Sequence, residues 1–143
     1  VSGWDVSNVT TIAHIVRGCS SLEVLNVSGW DTSKVTTLAS AFRNTDGLDT
    51  NDYKAVQYWD IGVLTDATNM LDACTNSLST SDYNAVLTAW EGQPHQDNVT
   101  VHFNNAKHSG AGTIARAALV ADGWTITDGV QNDTDKRIQI GME

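Results

Sequence analysis

Four oxygen-bearing side chains, Asp46, Asp49, Asn51 and Asp52, fall within seven residues, a density that suits either a hard cation or a helix-capping loop. Calcium takes about six to eight oxygens, and the run D-x-x-D-x-N-D lacks the D-x-D-x-D-G order of an EF-hand, so capping is the expected role. His95, His102 and His108 stand seven and six residues apart. Zinc sites pair their ligands more tightly, with Cys or a carboxylate at set offsets. No G-x-S-x-G elbow places a serine beside a base, and Gly110-Ala111-Gly112 has neither the Lys nor the third Gly of a phosphate loop. These residue types predict a protein that is not an enzyme and carries no cofactor and no metal.

The elements that would position such residues are set by a repeat. Trp4-Asp5, Trp30-Asp31 and Trp59-Asp60 lie 26 and then 29 residues apart, and the same apolar columns follow each pair: Val9/Val35/Leu64, Ile12/Leu38/Ala67, Ile15/Ala41/Met70 and Val16/Phe42/Leu71. A unit this short cannot bury its own apolar face, so successive units must stack and share a core. The Trp row could stack on sugar rings, yet its fixed place in each unit reads as core. Each Asp of the pairs is followed two residues later by Ser7, Ser33 or Gly62, the spacing of a turn closed by the Asp side chain. The column of Thr10-Thr11, Thr36-Thr37 and Thr65, which a flat ice-binding array would also need, falls where capping or solvated threonines are expected.

The chain has 143 residues, enough for one domain with a real core. Eight Lys plus Arg against seventeen Asp plus Glu give a net charge of -9, which repels phosphate backbones and argues against nucleic acid as a partner. No run approaches the roughly eighteen apolar residues of a membrane span, and no signal-like start is present, so membrane insertion by this segment is not expected. The start at Val1, inside a repeat, reads as a segment of a longer protein. Cys19 and Cys74 share one repeat column two units apart. At about 4.8 Å per unit their separation exceeds the ~7 Å a disulfide tolerates, so two free, buried thiols are expected.

Each unit reads as a strand, a turn and a helix. Leu22 to Val27 has Leu at the first and fourth places and Val at the sixth, the spacing of a leucine-rich-repeat strand. Val35, Leu38, Ala39, Ala41 and Phe42 then fall at helical spacing, with Thr32 or Ser33 as N-cap. Asp49–Val56 returns as Ser79–Val86, which predicts two extra helices capped by Thr50 and Thr80, the second running Tyr83 to Trp90. A strand over Val99–Phe103, a helix over Thr113–Ala121 with Ile114, Ala117, Ala118 and Leu119 facing in, and a closing strand over Trp124–Thr127 complete a cap. The expected fold class is α/β. It is a leucine-rich-repeat-like right-handed solenoid over residues 1–94, with one short strand and one short helix per turn, closed by an αβ cap at 95–129 and followed by a polar tail at 130–143.

The run Leu22-x-x-Leu-x-Val-x-x-Trp-Asp-Thr-Ser-Lys-Val-Thr-x-Leu-x-x-x-Phe resembles the BspA-like leucine-rich-repeat surface proteins. Gly123-Trp124-Thr125-Ile126-Thr127-Asp128-Gly129 is similar to that family's C-terminal cap. The chain departs from the pattern at Thr45, where Cys is typical, and in unit three, which lacks the Ser-Lys turn. The resemblance implies an extracellular adhesion module on a bacterial cell surface or a phage virion, without catalytic residues. Its partner would be a host surface protein or a glycan. The expected contacts are Glu23, Asn26 and Ser28 beside the strand and Asp46, Asp49 and Asn51 in the enlarged loop. The alternative is a structural spacer or virion assembly and decoration component that touches neighbouring subunits of a larger assembly.

Overall fold

The computed structural model describes residues 3–129, so the expected tail at 130–143 lies outside the described residues. The repeat columns explain how the chain is laid down. Ile12, His14, Val16 and Gly18 donate their backbone N–H groups to the carbonyls of Thr37, Ala39, Ala41 and Arg43 at 2.8–3.3 Å. One unit later the equivalent Leu38, Ser40, Phe42 and Asn44 donate to Asp66, Thr68, Met70 and Asp72 at 2.8–3.2 Å. Every second N–H of this segment thus crosses to the next unit, which satisfies backbone groups that would otherwise be buried unpaired. The crossing runs on as parallel pairings from Thr11 to Thr37 and from Thr37 to Asp66, then through β1 (Asp66–Ala67), β2 (Thr100–His102) and β3 (Thr125–Thr127) in the order β1-β2-β3.

This ladder occupies the segment in which the sequence predicts a helix. No helix forms over Val35 to Phe42, and Leu22 to Val27 forms no strand. The physical reason is a pair of left-handed residues in every unit. His14, Ser40 and Asn69 share one column with φ of 61°, 55° and 57°, and Gly18, Asn44 and Ala73 share a second, four residues on, with φ of 75°, 61° and 57°. A right-handed helix cannot pass through such residues. The first column is the third residue of the i to i+3 turns Ile12–Ile15, Leu38–Ala41 and Ala67–Met70, each closed by a backbone hydrogen bond of 3.0–3.3 Å. Consecutive turns of this kind repeat the i, i+3, i+4 spacing of a helical stripe and still bury Leu38, Ala41 and Phe42 almost completely.

The indole rings line up alongside. Trp4, Trp30 and Trp59 stack with centroids 6.4 and 6.1 Å apart and planes within 10°. Trp30 and Trp59 are 6% and 1% exposed, but Trp4, at the outer end of the row, is 55% exposed and is not core. Trp59 Nε1 donates to the Val27 carbonyl at 2.8 Å, and Trp90 Nε1 donates to the equivalent Val56 carbonyl at 2.8 Å. Trp90 therefore carries the Trp column into the part of the chain where the Trp-Asp signature has been lost. Both cysteines are free; Cys74 is buried against Thr45 and the Phe42 carbonyl, whereas Cys19, expected to be buried, is exposed. Its own column places Thr45 on one side of it only.

The helices form a second layer behind the core. α1 (Thr50–Tyr53) continues into a 3-10 turn (Lys54–Tyr58), α2 (Thr80–Glu91) packs against that turn, and α3 (Gly110–Ala121) packs against α2. The N-caps lie one residue earlier than the sequence predicts, at Asp49 and Ser79, whose side chains accept from Asn51 N and Asp82 N. α3 buries Gly112, Ala115 and Leu119, while Ile114 and Ala117, expected to face in, are exposed. Its approach to α2 is close: a Cβ at Gly112 would strike the Asn84 side chain, which itself holds Ser109 by two 2.9 Å hydrogen bonds. Arg116 then grips Asp128 with two donors at 2.7 and 3.1 Å, and the buried Tyr83 hydroxyl donates to the same carboxylate.

Two outcomes follow from these contacts. Ala73 is exposed and holds φ 57°, so Ala73→Gly removes a left-handed cost of about 1–2 kcal/mol and incurs an entropic one of about 0.5–1 kcal/mol. The denaturation midpoint is expected to rise, and a fall would contradict the turn geometry. His95 has Nδ1 2.8 Å from the Gln93 carbonyl and Nε2 2.9 Å from Asp122, so both ring nitrogens face acceptors and the imidazolium is favoured. Burial opposes the charge, but the hydrogen bonds to Asp122 and Gln93 and the nearby Asp122 and Glu91 charges outweigh it and raise the His95 pKa. The resulting stability is complete below the ordinary imidazole value of about 6.5 and is lost as pH rises through the raised folded value. With Asp122 half exposed the effect is below about 1 kcal/mol. Melting temperature is expected to fall as pH rises above the ordinary imidazole range, and Asp122→Asn to flatten that slope.

Candidate functional site

Five of the six expected contact residues meet in one place. Glu23, Asn26 and Ser28 form one wall of a cleft of about 500 Å³, and Asp49 and Asn51 stand on the other. The walls come from different parts of the chain, the irregular segment 22–28 and the α1 end of the enlarged unit, and Asp52 ties them together. Its Oδ1 accepts from Leu25 N at 2.9 Å and its Oδ2 from Asp49 N at 3.0 Å. The second of these bonds completes a capping box with Asp49, whose own Oδ1 accepts from Asn51 N at 2.8 Å. The cluster that suggested calcium from its sequence is thus largely spent on backbone N–H groups. Among the described residues no group of three or more His, Cys, Asp or Glu side chains could hold a metal ion.

Asp46, the sixth, is elsewhere. Its carboxylate accepts from Thr75 N at 3.2 Å and Thr75 Oγ1 at 2.9 Å, which clasps the enlarged unit to the next one. In its place the cleft contains Val24, Lys54 and Tyr58. Val24 and Tyr58 are 75% and 68% exposed, while the neighbouring Leu25 and Ala55 are buried. One sequence signal could have found Tyr58: it occupies the position before Trp where the other units have Gly3 and Gly29. An aromatic in a glycine column has no backbone reason to be there. A second, shallower depression of about 610 Å³ runs on from Tyr58 past Asp60 and Val63 to Gln93 and Pro94.

The rows of Asp and Thr, by contrast, are structural. Asp5 and Asp31 each accept from a serine two residues on, at 3.0 Å from the N–H and 2.6 Å from the hydroxyl, and Asp60 accepts from Gly62 N at 2.8 Å. The serine hydroxyl, then its N–H, lowers the pKa of Asp5 and of Asp31. Thr36 and Thr65 donate their hydroxyls to the carbonyls of Thr10 and Thr36, both at 3.1 Å, and so brace one unit against the next. No helix among the described residues is long and apolar enough to cross a membrane.

Asp52 is the joint on which the cleft depends. Asp52→Asn keeps the shape but turns an amide NH2 toward one of the two backbone donors, which is expected to cost about 1–3 kcal/mol. Amide exchange at Leu25 and Asp49 is expected to accelerate well before the rest of the chain opens; unchanged protection at both would show that the walls are held by other contacts.

A family model described as "Mycoplasma protein of unknown function, DUF285" matches residues 1–113. No curated protein matches the chain. No solved structure matches it either. The matched span covers well over half of the 143 residues, and the chain belongs to the DUF285 family, which is associated with BspA-like surface repeat proteins.

Proposed function

We propose that this chain is a non-enzymatic adhesion or receptor-binding module of a bacterial surface or phage virion protein, built as a leucine-rich-repeat-like solenoid of 26-residue W-D-T-S-K-V-T units with a C-terminal cap. The cleft between segment 22–28 and α1 is its contact surface, and its partner is a host surface protein or a glycan. The observation that supports this reading most is the convergence of Glu23, Asn26, Ser28, Asp49 and Asn51 with two exposed apolar side chains, Val24 and Tyr58, in a cleft of about 500 Å³. Clefts of this size are typical of small-ligand sites, and exposed apolar groups ringed by polar ones are the usual mark of a binding surface. Asp52 and the Asp of the Trp-Asp pairs are engaged in turns and caps, which supports the non-enzymatic reading.

One observation favours the structural alternative, a spacer or assembly component. Trp4 ends the indole row with one stacked neighbour and more than half of its surface exposed. Among the described residues, the carbonyls of Thr11, Ala13, Ile15 and Arg17, which in the next units accept the ladder bonds, accept no such bond. An open ladder edge of this kind can pair with a neighbouring subunit.

The two readings separate in a binding assay on intact host cells or bacteria. The chain displayed on beads is expected to bind, and Val24→Ser with Tyr58→Ala to abolish binding while Trp4→Ala leaves it unchanged. Beads that never bind, together with concentration-dependent self-association lost in Trp4→Ala, would favour the spacer and sink the adhesin.

A further inference from the structure

The side chains of the cleft narrow its ligand. Tyr58 is 68% exposed, in contrast to Tyr53 and Tyr83, which are both buried. Its ring is therefore presented as a flat apolar platform at the edge of a polar cleft. Glu23 and Asp49 are exposed carboxylates in the lining, Lys54 is the lining cation, and the Lys54 ammonium lies 3.4 Å from Asn51 Oδ1. With Asp52 included the cleft is net acidic inside a chain of net charge -9, which disfavours phosphate, sulfate and sialate groups.

The polar atoms left over are of two kinds. Asn26 Oδ1 is taken by Ser28, and Asp49 Oδ1 by Asn51 N. Among the described residues this leaves the Glu23 carboxylate and Asp49 Oδ2 as acceptors, the amide groups of Asn26 and Asn51 and the Lys54 ammonium as donors, and the Ser28 and Tyr58 hydroxyl oxygens beside them. Vicinal hydroxyls, each of which both donates and accepts, match such a mixed set. A folded protein partner needs about 800 Å² of its own surface for a stable interface, more than one cleft of this kind offers. The cleft is also held in shape before any ligand arrives, because Asp52 fixes both walls, and a fixed site gives up less entropy on binding.

We infer that the cleft takes a neutral oligosaccharide, with one pyranose ring packed on Tyr58 and its hydroxyls hydrogen bonded by Glu23, Asn26, Asp49 and Asn51. The inference rests on the binding-module reading and gives that reading a ligand class. The apolar face of the sugar covers the phenol ring, and the ring's equatorial hydroxyls point to the carboxylates and amides. Acidic sugars are excluded by the charge of the walls, and the second depression, which also begins at Tyr58, gives a longer chain room to continue past the first ring.

The test uses the chain displayed multivalently on an array of mannose-, galactose- and N-acetylglucosamine-terminated neutral glycans beside sialylated and sulfated ones. Binding to one neutral class is expected, with none to the acidic glycans. Titration calorimetry with the strongest neutral glycan is then expected to show at least about tenfold weaker binding for Tyr58→Ala and little change for Tyr58→Phe, in line with loss of an aromatic face. The exposed position of Tyr58 keeps the melting temperature of both variants near that of the parent chain. A preference for acidic glycans, the absence of any neutral ligand, or unchanged affinity in Tyr58→Ala would overturn the inference. Binding to cells that survives enzymatic removal of their glycans would overturn the sugar while leaving the binding module standing; absence of any cell or glycan binding would remove both.

Discussion

The rest of the structure depends on the forward transfer of N–H groups from one unit to the next. At four alternate positions in each of the first two units the N–H donates to a carbonyl of the following unit, so these units are completed by a neighbour and cannot be satisfied alone. This arrangement requires the chain to double back every few residues without ever closing a helix. Two left-handed residues per unit, ten and fourteen places after Trp4, Trp30 and Trp59, provide the reversals. Each costs about 1–2 kcal/mol where the residue is not Gly. The cost is offset because each reversal returns an apolar side chain to the same core, where Ile12, Leu38 and Ala67 succeed one another with their backbones in ladder contact.

This constraint decides what was legible in the sequence. The columns were readable because burial follows them: Val35, Leu38, Ala41 and Phe42 are all core, as their spacing indicates. Which backbone carried the columns was not readable, because i, i+3, i+4 spacing arises from a helix and equally from consecutive three-residue turns. Glycine would have given the turns away, but only Gly18 stands in either left-handed column, beside His14, Ser40, Asn44, Asn69 and Ala73. Asn tolerates φ > 0 well and hints at the geometry; Ser40 and Ala73 hide it. In the cap the local signals placed the elements and the end of α3, but α3 begins at Gly110, three residues before the expected Thr113, and buries a different face. Gly123, with φ 87°, follows the Asp122 cap and ends α3 where the sequence places the stop, and β2 and β3 fall within the expected segments.

The candidate cleft was legible for a different reason. Glu23, Asn26 and Ser28 fall between or beside the apolar positions of the expected strand and Asp49 and Asn51 in the enlarged part of the repeat, and a side chain with no core column to fill is free to face solvent. Asp46 misled because an acidic residue in a loop looks the same whether it faces a ligand or clasps Thr75 in the next unit. Tyr58 was missed because attention to the Trp column treats the residue before it as a turn position. The enlarged unit changes that rule: a 3-10 turn now leads into Trp59, so the residue in the glycine column projects from a helical segment, where a large side chain is tolerated.

The cleft and the break in the period are then one feature. In the enlarged unit α1 and its 3-10 turn occupy the place behind the core that α2 and α3 occupy in the units that follow, and α2 covers their far side. On the near side the preceding unit contributes only the irregular segment 22–28, which is thinner than a helix and leaves the flank of the 3-10 turn uncovered. A uniform stack of irregular segments would have no such step, and a uniform stack of helices would fill it. The step from one to the other leaves a gap, and Asp52 fixes its width by accepting from Leu25 N across it while its other oxygen caps α1 at Asp49 N. A change in the length of one repeat thus creates a concave surface, and the side chains at its rim decide what the surface can recognise.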